Sequence, residues 1–97
     1  MKTRYFVGLR QIELDNREEL LLEYYLVEEG KERGPVFGIE ITGRYESKPQ
    51  RPFTQEYTGP ISDDAGLVRR LAEKLCLGTV TPFTLLEQVD QLLGEYV

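Results

Sequence analysis

The spacing of apolar residues changes once along this chain, at Gly59-Pro60, and that change limits the fold more than any other feature. Before it, apolar and polar residues alternate, the period of a strand with two distinct faces. After it, apolar residues recur at three and four positions, the period of an amphipathic helix. Strands followed by helices define an α+β protein: an antiparallel β-meander of about four strands, then two C-terminal helices packed on one sheet face. A chain of 97 residues suffices for one core, so residues 1–97 read as a single domain, with the meander in 1–60 and the helix pair in 61–97.

The strands differ in clarity. Val36 to Tyr45 is the plainest, with Phe37, Ile39, Ile41 and Tyr45 on one face and Glu40, Thr42 and Arg44 on the other. Thr3 to Leu14 interleaves Tyr5, Phe6, Val7 and Ile12 with polar residues and ends at the turn-forming pair Asp15-Asn16. The leucines at 20–22 would suit a helix, but Tyr24-Tyr25-Leu26-Val27 favours a strand over Glu19–Glu28. Pro49 and Pro52 deny ladder donors, so 46–52 is a loop or ragged edge before a short strand over Phe53–Thr58.

Ser62 is the expected N-cap of a helix over 63–77, with Asp63 and Asp64 placing negative charge at its positive end. Val68, Leu71, Ala72 and Leu75 form its apolar face, and Gly78 is the expected stop. Thr81-Pro82 opens a second helix over 82–95 whose stripe is Leu86, Val89, Leu92, Leu93 and Tyr96, with Val80 and Leu85 as a hydrophobic staple. Leu71 and Leu86 are both expected in the core.

Composition excludes several chemistries. There is no histidine, so Ser-His-Asp and Cys-His nucleophile systems are impossible. One cysteine and no histidine cannot build the common zinc sites, and no phosphate-cradling glycine motif is present. Cys76 lies between two leucines, which points to a buried thiol in a reducing cytoplasm. The six tyrosines read as rim residues with hydroxyls at the surface. A net charge of −5 argues against nucleic acid, and no apolar run approaches the roughly 20 residues that span a bilayer. Basic Met1–Arg4 is followed by no apolar stretch, so no signal peptide is expected.

Three segments carry a resemblance: Val36-Phe37-Gly38-Ile39-Glu40-Ile41, the helix opening Ile61-Ser62-Asp63, and Val80-Thr81-Pro82 before the acidic helix Phe83 to Asp90. Together they resemble a family of small uncharacterised proteins of Gram-positive bacteria, a domain of unknown function. The resemblance implies a cytoplasmic accessory protein and carries no activity, cofactor or functional residue with it.

Two surfaces remain as candidates. Period-two bookkeeping sends Tyr5, Val7, Leu9, Leu22, Tyr24, Leu26, Ile39 and Ile41 beneath the helices. The other face then carries Phe6, Arg10, Leu21, Tyr25 and Val27, with Val36, Thr42 and Arg44, which is too apolar for a solvated antiparallel face, so either a partner buries it or strand twist, a bulge near Gly8 or a long loop covers it. That composition points to a non-enzymatic protein-interaction or regulatory module whose partner is another protein or a second copy in a homodimer. The alternative is a domain binding a small anion or nucleotide-type ligand through a basic loop of Arg44, Lys48 and Arg51. Neither reading calls for a cofactor or metal, and neither points to nucleic acid or a membrane.

Overall fold

The computed structural model describes residues 2–15, 17–45 and 54–95. Four antiparallel strands, β1 (Lys2–Glu13), β2 (Glu19–Glu29), β3 (Val36–Tyr45) and β4 (Thr54–Tyr57), lie in the order β1-β2-β3-β4. Helix α1 (Ala65–Leu77), a 3-10 turn (Pro82–Thr84) and helix α2 (Leu85–Glu95) follow. This is the expected meander with two helices on one face. The loop expected over 46–52, and Phe53 and Tyr96, lie outside the described residues.

One hydrophobic cluster joins the two layers. Leu22, Tyr24, Ile39 and Ile41 point from the sheet into Val68, Leu71 and Leu75 of α1 and Leu85 of α2, all fully buried. α1 crosses β1, β2 and β3, and the 3-10 turn packs on β3 and β4. Burying a side chain of this size contributes about 1.5–3 kcal/mol, so the helix pair is held by apolar contact more than by propensity.

The helix boundaries differ from expectation for reasons of long range. Phe37 bonds through its backbone to Ile61 and Ser62, which holds 61–62 extended as an isolated bridge on β3. The helix therefore starts two residues later, capped by Asp64, whose Oδ1 accepts from the Leu67 amide at 3.1 Å, while Ser62 Oγ accepts from the Asp64 amide. At the other end Gly78 keeps φ −82°, and the left-handed residue is Thr79 at φ 55°. The amides of Thr79 and Val80 close the helix onto the carbonyls of Cys76 and Leu75.

The second helix also takes a different phase. Its first turn is 3-10, with three residues per turn in place of 3.6. That turn brings Leu85 into the core at 0% exposure and leaves Leu86 49% exposed, the reverse of the expected burial of Leu86.

β1 is bulged. Phe6 pairs with Tyr25 and Gly8 with Tyr24, so Val7 is an extra residue, turned with Gly8 toward the helices. Gly8 gives the Cys76 side chain room there: a Cβ would sit 2.6 Å from its Sγ, which would have to turn aside. Beyond the bulge every side chain changes face relative to simple alternation. Leu9 pairs with Glu23 on the open face, and Arg10 pairs with Leu22 on the helix-covered face. Both placements reverse those expected.

Candidate functional site

The sheet face away from the helices is built by alternate residues of β1 and β2 and their partners on β3 and β4. Of the five surface candidates, Phe6, Leu21, Tyr25 and Val27 lie on this face. Arg10 does not; its guanidinium reaches across the helix side to Thr79 Oγ1 at 3.4 Å. In its place stands Leu9, which the bulge moves outward.

The face has two regions. Around Val27 it is roofed. Gly38, the β3 partner of Val27, lies against the Tyr57 ring and the Gly59 carbonyl, and Val27 itself is 2% exposed. Tyr57 donates a hydrogen bond to the Glu29 carboxylate, and Lys2 Nζ sits 4.4 Å from the Tyr57 ring centroid. Burial first, then the Glu29 contact, pushes the Tyr57 hydroxyl pKa well up, while the same hydrogen bond holds Glu29 below the ordinary carboxylate range. Toward β1 the face is open: Phe6 is 55% and Leu9 52% exposed.

Between these regions runs a set of charged contacts. Arg4 lies over the Tyr25 ring at 3.9 Å, and Phe6 meets Tyr25 edge-on at 5.8 Å. Arg4 Nε approaches Glu40 Oε1 at 2.7 Å, out of line for a hydrogen bond, while Glu40 Oε2 accepts from Gln55 at 3.0 Å. Arg44 pairs with Glu23 at 3.3 Å, and Glu23 also accepts from the Tyr25 hydroxyl. Burial, followed by that hydrogen bond, raises the Tyr25 pKa. A cavity of about 160 Å³ lies among Arg4, Glu23, Tyr25, Thr42 and Arg44.

Each ion pair on this face is lopsided. The arginine side chains of Arg4 and Arg44 are 48% and 58% exposed, against 9% and 20% for Glu40 and Glu23. The acids lie beneath and the cations above. This face therefore presents the exposed cations Arg4 and Arg44 beside exposed Phe6 and Leu9, together with exposed Glu13 and Glu19 at the end where β1 turns into β2. Arg4, Glu23 and Leu9 were missed from sequence because each owes its role to a cross-strand partner or to the bulge, and Glu40, placed on this face by alternation, gains its role only from Arg4 and Gln55.

The remaining candidates fall elsewhere. Of the basic loop, Arg44 is engaged by Glu23, and Lys48 and Arg51 lie outside the described residues. Tyr24 is a fully buried tyrosine, not a rim one; its hydroxyl donates to the Val80 carbonyl at 2.8 Å, and burial raises its pKa strongly. Cys76 is partly buried against Gly8, and that burial raises its thiol pKa, the opposite of an activated cysteine. Among the described residues no three Asp, Glu or Cys side chains gather as metal ligands would, and no described helix is long and apolar enough to cross a membrane.

The fold and this face define a small α+β protein with one sheet face covered by helices and the other carrying exposed apolar side chains beside exposed arginines. The chain belongs to a family of unknown function (DUF6514), whose model matches residues 3–95. Comparison with curated proteins and with solved structures gives no significant match.

Proposed function

We propose that the protein is a non-enzymatic interaction module of the bacterial cytoplasm, and that the open sheet face docks an acidic, apolar segment of another protein. The observation that carries this reading is the exposure of Arg4 and Arg44 above their shielded acids, beside exposed Phe6 and Leu9. A segment bringing carboxylates and apolar side chains would meet both features. Of the basic loop proposed for a small anion, only Arg44 lies among the described residues, so the docking reading is the one the described surface supports.

Leu21 and Arg44 face each other across β2 and β3 and lie away from the β1 edge, so Leu21→Ser with Arg44→Glu tests the surface. Tagged wild type and double variant are compared for proteins retained from the native cells, with melting temperature as the check on folding. A discrete companion held by wild type and lost by a folded double variant supports the reading. A companion retained by that variant, or none held by wild type, overturns it.

A further inference from the structure

The strand order leaves β1 at the edge of the sheet, and the backbone bonding identifies which of its groups face outward. Phe37 and Ile39 direct their backbone groups toward β4 and the segment after it: Phe37 to Ser62 and Ile61, and the Ile39 carbonyl to the Thr58 amide. In an antiparallel sheet these directions alternate along each strand. Gly38 and Glu40 therefore bond to Val27 and Tyr25, and Leu26 and Tyr24 bond to Tyr5 and Gly8. The backbone groups of Lys2, Arg4, Phe6, Leu9, Gln11 and Glu13 therefore point away from β2, toward the sheet edge. The bulge keeps these groups in step, because Phe6 and Leu9 face Tyr25 and Glu23, two residues apart on β2, the same step as from Arg4 to Phe6.

We propose that this edge pairs antiparallel with β1 of a second copy, about a two-fold axis between Val7 and Gly8, joining two meanders into one continuous sheet. The order of side chains selects that register. Lys2 then meets Glu13, Arg4 meets Gln11 and Phe6 meets Leu9 on the open face, while Tyr5 meets Arg10 on the helix-covered face. No like charges meet. A slip of one step toward either end sets Arg4 against Leu9 or Phe6 against Gln11 and shortens the ladder.

Two further observations fit this pairing. Within one chain Glu13 faces Glu19 directly across β1 and β2, an unfavourable cross-strand arrangement that Lys2 of the second copy would relieve. And β1, at 12 residues, is a long edge with no proline, the kind of template that attracts uncontrolled strand addition. A two-fold pairing uses the whole edge and closes, which yields a dimer rather than a fibre. The dimer leaves the open face uncovered and extends it across the axis, so this proposal goes beyond the docking reading and does not depend on it.

Sedimentation equilibrium at micromolar concentrations reads the outcome. Wild type is expected at twice the 11.2 kDa chain mass. Leu9→Pro removes an edge-facing donor that bonds to nothing in β2 and is expected to give a folded monomer. Lys2→Glu and Glu13→Lys each put two like-charged pairs into the dimer, and each is expected to weaken association about tenfold. Mixed together they restore opposite charges at both pairs, so the mixture should dimerise as wild type does. Should Leu9→Pro fail to fold, the charge-reversed pair decides alone. A monomeric wild type, a dimer untouched by a folded Leu9→Pro variant, or a mixture no stronger than its components would overturn the proposal; none of these results bears on the docking face, which the Leu21 and Arg44 variant tests separately.

Discussion

Gly38→Ala tests how the open face is roofed, and its cost can be worked from the structure. A Cβ at residue 38 would lie 2.2 Å from the Gly59 carbonyl oxygen, 2.8 Å from the Tyr57 ring and 3.0 Å from Thr58 Oγ1. The nearest obstacle is backbone, which cannot rotate aside as a side-chain tip would. The Thr58–Gly59 segment must move, and with it the bonds of the Ile39 amide and carbonyl to Thr58. Overpacking of this kind costs about 1–3 kcal/mol, and a fixed obstacle places the change at the upper end, about 3 kcal/mol. For a domain of this size, that lowers the melting temperature by roughly 12–24 °C. Gly30→Ala is the control, because a Cβ there meets nothing within 4 Å, and its effect should stay within about 0.5 kcal/mol. Urea denaturation of both variants gives the difference. If Gly38→Ala costs no more than Gly30→Ala, the segment after β4 does not cross the sheet at Gly38, and Val27 has no roof.

The phase of α2 is tested by a pair of neighbours: Leu85→Ala should cost about 2–5 kcal/mol as a buried truncation, and Leu86→Ala less than about 1 kcal/mol, with equal losses in urea denaturation ruling out the phase described. The Tyr57–Glu29 contact gives a pH dependence with two limbs. Glu29, held below its ordinary value of 4.5, contributes stability that is present above that pH and lost as pH falls through its folded value. Tyr57, raised above its ordinary 10.0, contributes stability that is present below pH 10 and lost as pH rises toward its folded value. The gap between wild type and Tyr57→Phe should therefore be widest between about pH 5 and about pH 9 and narrow on both sides; a gap independent of pH in denaturation curves would show that the contact does not form.

Much of this architecture can be read from residues that carry local information. Phe37, Ile39, Ile41 and Tyr45 alternate with Glu40, Thr42 and Arg44 because β3 lies inside the sheet with one face on the helices, and Val68, Leu71, Ala72 and Leu75 mark the α1 core face by spacing alone. The misreadings arise where a distant contact decides between two locally equivalent choices. Ser62 and Asp64 are both good caps, and the bridge from Phe37 makes the choice. Leu85 and Leu86 are adjacent leucines, and a 3-10 first turn on β3 and β4 decides which one turns inward. One extra residue in β1 reverses Leu9 and Arg10, and only Gly8 beneath Cys76 hints at it in the sequence. The charged contacts of the open face join residues of separate strands, such as Arg4 and Glu40, so no local pattern announces them.

The central claim, that the open sheet face is a docking surface for another protein, is tested most directly by a photo-crosslinking residue placed at Leu21 and activated in the native cells. Leu21 lies on β2 within that face, and Leu77, 75% exposed on α1, is the control position. The account predicts a discrete adduct to a different, acidic protein from position 21 and none of it from position 77. No adduct at position 21, or the same adducts at both positions, would contradict it.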